Sequence, residues 1–166
     1  MRWIVFLVIN VFVIATVSAA TNAPVSRAYD AFDMPVADLP EGCAPSDLSP
    51  KEKTSRPLVL STEKHIRAFC EGELPGLLDY AATREMFILC FKEKDEVGIY
   101  GWRLATAESA NALFAKASKE FAGRTADMKL WVNSDVVVLL WRDKGVTDSC
   151  FLAFQDHVTR TMKKIK

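Results

Sequence analysis

Histidine, glycine, a surplus of either charge and closely spaced cysteines are all scarce in this chain, and each scarcity removes a class of function. Twenty-one acidic residues balance twenty-one basic ones, whereas a nucleic-acid binder concentrates cations on one face. The only basic cluster, Lys163, Lys164 and Lys166, falls at the end of a predicted helix, where cations complement exposed carbonyls. The two histidines, His65 and His157, lie on separate predicted helices and in no metal-ligand spacing. No glycine-rich stretch cradles a phosphate, and no serine occupies the small-residue elbow of an α/β-hydrolase. Cys150 and His157 sit two helical turns apart, about 10 Å along the axis, too far to form a nucleophile–base pair. Glu71 and Glu73 flank a helix end, and nothing selects them over other carboxylates. The run Lys92–Glu96 lacks calcium-loop spacing and reads as a solvated turn. No cofactor, metal or catalytic residue is therefore predicted.

What is present at the start of the chain is an export pattern. Met1 and Arg2 form a positive leader, Trp3 to Val17 is apolar apart from Asn10 and Thr16, and Ser18, Ala19 and Ala20 are small. Charge, apolar run and small residues in that order make a signal peptide over residues 1–20. Cleavage after Ala19 or Ala20 both satisfy the peptidase. The run is barely long enough for a bilayer span of about 20 residues, and no basic stop-transfer cluster follows. No cysteine stands at the junction to carry a lipid. The expected product is an extracytoplasmic soluble protein, periplasmic or secreted, with no stable membrane anchor.

Four cysteines follow the leader: Cys43, Cys70, Cys90 and Cys150. In an oxidising compartment an even count favours disulfides, and four thiols allow three pairings. The preferred set joins Cys43 to Cys150, tying an N-terminal arm to the last helix, and Cys70 to Cys90.

Six of the seven prolines lie between Pro24 and Pro57. Proline removes an amide and clashes with the preceding helical turn, so residues 21–56 read as an extended arm. Phe32, Met34, Val36 and Leu39 would rest on the domain, and Ala44 to Arg56 would be a solvated linker. Residues 57–166 then form one domain. Thr62 caps a helix placing Ile66, Phe69 and Cys70 on one face. Met86–Phe91 and Val97–Leu104 form a hairpin. A helix follows from the Thr106 cap to the Gly123 terminator, with Ala110, Leu113, Phe114, Ala117 and Phe121 at helical spacing. Met128–Val132 and Val136–Trp141 form a second hairpin, and Asp148 caps a last helix buried through Phe151, Phe154, Val158, Met162 and Ile165.

An extra helix followed by two ββα units predicts an α+β two-layer sandwich: a four-stranded antiparallel sheet with both long helices on one face. Val136–Trp141 and Met86–Phe91 are apolar on both faces, however, and a half-exposed strand alternates. The second sheet face must be covered by the first helix and arm, by a second copy of the chain in a homodimer, or by a small apolar ligand. Tyr100 and Trp102, on one side of their strand, are the candidate ligand-lining residues, with Gly98 and Gly101 leaving room beside them. The function expected is a non-enzymatic binding or accessory module for a protein partner or small apolar ligand. The alternative is an extracytoplasmic hydrolase with a site assembled from scattered residues.

Overall fold

Three of the helices start at a threonine whose hydroxyl replaces a missing helical acceptor. The Oγ1 atoms of Thr62, Thr106 and Thr147 accept from the backbone amides of His65, Ser109 and Cys150, contacts worth about 1 kcal/mol each. The computed structural model describes residues 27–46, 54–55, 57–70 and 74–165; the leader at 1–20 lies outside them. The elements run α1 (Arg27–Asp30), β1 (Met34–Pro35), β2 (Ala44–Pro45), β3 (Thr54–Ser55), β4 (Leu58–Leu60), α2 (Glu63–Phe69) and α3 (Leu74–Leu77). They continue with β5 (Thr83–Lys92), β6 (Glu96–Leu104), α4 (Ala107–Glu120), β7 (Met128–Asn133), β8 (Val136–Arg142) and α5 (Asp148–Met162).

The fold is α+β with an antiparallel sheet. Both hairpins form where expected and join through β6 and β8, with Tyr100 opposite Leu139 and Val97 opposite Arg142. The strand order is β2–β5–β6–β8–β7, with β4 also on β5, so the sheet has six strands rather than four. The two additions pair along the outer edge of β5: Ala44 and Pro45 against Lys92 and Phe91, and Leu58–Leu60 against Ile88–Met86. Unpaired edge amides invite aggregation, and short strands around prolines cover this edge at little entropic cost. The stretch expected to be a solvated linker is thus partly sheet, since Thr54–Ser55 also pairs with Met34–Pro35.

The helices do not share one face. Strands β6 and β7 both run antiparallel to β8 and hence parallel to each other, so α4 is a crossover lying on one face, while α5 returns over the other. Phe87, Leu89, Phe91, Val136, Val138 and Leu140 pack with Tyr29, Phe32 and Met34 of the arm and with Phe151, Phe154 and Val158 of α5. Met86, Ile88, Cys90, Val137 and Leu139 pack with Ile66, Leu78, Ala110, Leu113 and Phe121. The physical reason is visible in β8. Val136 through Leu140 are all at most 2% exposed, and burying each large aliphatic side chain is worth about 1.5–3 kcal/mol. Two bare faces need two covers, and each long helix supplies one, assisted by a short element.

Smaller departures have local causes. Thr147 rather than Asp148 caps α5, because the Asp148 carboxylate accepts from Arg142 Nη1 at 2.6 Å. Helix α4 ends at Glu120, ahead of Gly123, where Phe121 turns into the core at 5% exposure. Phe69 is 37% exposed while Ile66 and Cys70 are buried. The Lys92–Glu96 turn is not simply solvated: Glu93 accepts from the amide and hydroxyl of Thr147, and Asp95 accepts from the Gly145 amide. Carboxylates from the first hairpin therefore anchor the loop that begins α5, where negative charge is favourable.

Candidate functional site

Tyr100 and Trp102 both project from β6 into the core beneath α4. Trp102 is 2% exposed, and the Tyr100 ring meets Trp102 and Trp141 edge-on at centroid distances of 6.4 and 5.7 Å. The space left by their neighbouring glycines is filled from within. A Cβ on Gly98 would collide with the Trp141 ring, and one on Gly101 with Phe87. The residues expected to line a ligand pocket thus form an aromatic wall of the core.

The thiols divide in the same way. No two of them lie at disulfide bonding distance. Cys70 Sγ rests 3.7 Å from Met86 Sδ, whereas Cys90 lies four residues further along β5, about 13 Å at strand spacing. The fold does not bring those two together. Cys43 and Cys150 are neighbours, sulfur to sulfur.

The concave feature of the surface lies between the arm and α5. While Phe151, Phe154, Val158 and Met162 face the sheet, Ala153, Asp156, His157, Arg160, Thr161 and Lys164 recur every three or four residues along the adjoining stripe. Opposite them, Asp33, Met34, Pro35, Asp38 and Pro40 form the second wall of a half-open cleft of about 540 Å³. Apolar anchors hold the arm there. The Tyr29 and Phe32 rings each lie 4.7 Å from Phe87, and Tyr29 Oη donates to Glu85 Oε2 at 3.1 Å. Polar contacts finish the closure: His157 Nε2 donates to the Phe32 carbonyl at 3.3 Å and Thr161 Oγ1 to the Ala31 carbonyl at 3.2 Å. Among the described residues, Asp38, Asp156, Arg160 and Lys164 take part in no ion pair, so these four charges face the cleft uncommitted. A shallower groove of about 220 Å³ runs between β7 and α5 past Trp131 and Lys163.

Burial pushes the His157 imidazole below its ordinary value. Its bond to the Phe32 carbonyl opposes that shift, and the nearby Arg160 and Lys164 add to it. A folded-state pKa below the unfolded value means that the unfolded chain binds the proton more readily. This contribution to stability is therefore complete above about pH 6.5 and declines as pH falls toward the depressed folded-state value. Urea midpoints measured between about pH 7.5 and pH 5 should fall less steeply for His157→Gln than for the parent; identical slopes would show that His157 titrates alike in both states.

None of these cleft residues was singled out for binding from the sequence. The signal in α5 was legible as a polar stripe beside an apolar one, but its partner wall lies more than a hundred positions away in a segment with no periodicity. Among the described residues, no group of three or more histidine, cysteine or carboxylate side chains is placed to hold a metal, and no helix is long and apolar enough to cross a membrane. Set beside protein-family models, curated proteins and solved structures, the chain matches none of them.

Proposed function

We propose that this chain is an exported binding module that holds a small zwitterionic ligand, of the amino-acid or dipeptide class, between its arm and α5. The observation that carries this reading is the charge layout of the cleft. Asp38 stands on the arm wall, and Arg160 and Lys164 stand on the helix wall with Asp156 one turn before Arg160. A ligand ammonium directed at the arm and a carboxylate directed at the helix would answer both, and the cleft volume falls within the range of small-molecule sites. The apolar strands that motivated an apolar ligand or a homodimer are covered by the chain's own helices and arm, so recognition moves from the sheet face to the polar cleft. Export itself rests on the charge, apolar run and small residues of positions 1–20, and in an oxidising compartment Cys43 and Cys150 would become one bridge. Mass spectrometry of the native product tests the first of these: Met1 still attached would refute it.

Titration calorimetry with free amino acids and charged dipeptides tests the ligand. Replacing both Arg160 and Lys164 with alanine should weaken binding about tenfold or more, since a hydrogen bond to a charged group contributes about 1.5–3 kcal/mol. Both side chains sit on the outer stripe of α5, so the fold should survive. No heat from any member of the panel would end this reading.

A hydrolase remains the second reading, because a half-buried imidazole whose pKa burial lowers, lining a cleft, is the raw material of a general base. Against it, His157 Nε2 is committed to the Phe32 carbonyl and the Thr161 hydroxyl to the Ala31 carbonyl. Turnover of a peptide or ester that His157→Gln abolishes while leaving binding intact would favour the enzyme.

A further inference from the structure

The two walls of the cleft meet at one end, and a pair of cysteines stands at that junction. On the arm, the Cys43 amide donates to the carbonyl of Pro40, a lining residue, at 2.9 Å. On α5, Cys150 stands one turn before Ala153, the first lining residue of the helix wall. Cys43 and Cys150 are the thiols in mutual contact. Cys43 is half-buried and Cys150 is 2% exposed, so an external reagent reaches the arm cysteine first.

We infer that Cys43 and Cys150 form a redox-operated clasp that locks the arm against α5 when oxidised and, when reduced, leaves the arm held only by its ring stack on Phe87 and its hydrogen bonds to His157 and Thr161. The control of ligand entry rests on the cleft being the binding site; the clasp itself does not. The chemistry is thiol–disulfide exchange with a disulfide-bearing oxidant, either a small disulfide or a dithiol oxidoreductase. The Cys43 thiolate attacks the donor disulfide and expels one donor thiolate, leaving a mixed disulfide on Cys43. Cys150 then attacks the Cys43 sulfur and expels the second. The chain loses two protons and two electrons, and the donor gains them as two thiols. Burial pushes both thiols up, so the exchange is slow without a catalyst and the reduced pair persists until one acts.

Oxidised glutathione with a dithiol oxidoreductase should lower the intact mass of the purified chain by two hydrogens and give a cross-linked pair of peptides containing Cys43 and Cys150. Hydrogen exchange then reads the arm. Amides of residues 31–42 should exchange about tenfold slower in the oxidised protein than after reduction, while those of β5 and β6 stay unchanged. Cys43→Ser, at a half-buried site that tolerates a polar side chain, should exchange at the reduced rate under both conditions. A missing cross-link, or equal exchange in the oxidised and reduced proteins, overturns the clasp. The dipeptide lysyl-glutamate separates the two proposals. Redox-dependent exchange without dipeptide binding keeps the clasp and removes the ligand reading. Dipeptide binding with redox-independent exchange does the reverse.

Discussion

Truncating Phe87 to alanine is expected to lower the unfolding free energy by about 3–5 kcal/mol, read from urea denaturation. The ring is fully buried, stands 4.7 Å from both Tyr29 and Phe32, and occupies the space that the missing side chain of Gly101 leaves on β6. Its removal opens a cavity and takes away the surface on which the arm is stacked, so the arm should loosen more than the sheet. The same geometry predicts a coupling. Gly101→Ala alone drives a methyl group into that ring, and overpacking typically costs about 1–3 kcal/mol. In the Phe87→Ala background the methyl group enters vacated space and should cost little, so the double-mutant cycle departs from additivity. Additive effects, or a Phe87→Ala protein within about 1 kcal/mol of the parent, would show that the arm is not held by this stack.

Closing the Cys43–Cys150 bridge is expected to raise stability by about 4–5 kcal/mol, the chain-entropy value for a loop of roughly a hundred residues. For a domain of this size that corresponds to a melting midpoint higher by on the order of 10 °C. The gain comes chiefly from the unfolded chain, whose ends the bridge holds together, and it disappears on reduction or in Cys43→Ser. Denatured oxidised protein should then titrate two free thiols, Cys70 and Cys90, because the fold keeps Cys70 on Met86 and Cys90 further along β5. Four thiols, or a midpoint indifferent to reductant, would refute it.

Local chemistry made the elements legible. Thr62 and Thr106 announced helix starts because a short hydroxyl satisfies an orphan amide wherever it stands. Both hairpins followed from apolar runs separated by polar turns. The two-sided apolarity of Val136–Leu140 and Met86–Phe91 required cover on both sheet faces, and both faces are covered. The arm's grip through Phe32 and Met34 was readable too, as apolar residues in an otherwise polar stretch. Tyr29, the third anchor, was not, since its burial depends on Phe87 and Glu85 more than fifty positions away.

The sequence by itself determined the starts of α2 and α4, the two antiparallel hairpins, and that neither sheet face could stay bare, because those properties depend on residues within a few positions of one another. Only the tertiary structure decided that α4 and α5 take opposite faces, that the proline-rich arm completes the edge of β5, and that its inner turn and the polar stripe of α5 enclose one charged cleft with Cys43 and Cys150 at its end. Each of these is a meeting of segments distant along the chain. Periodicity records which face of an element avoids water, but it carries no information about which remote segment arrives to cover it.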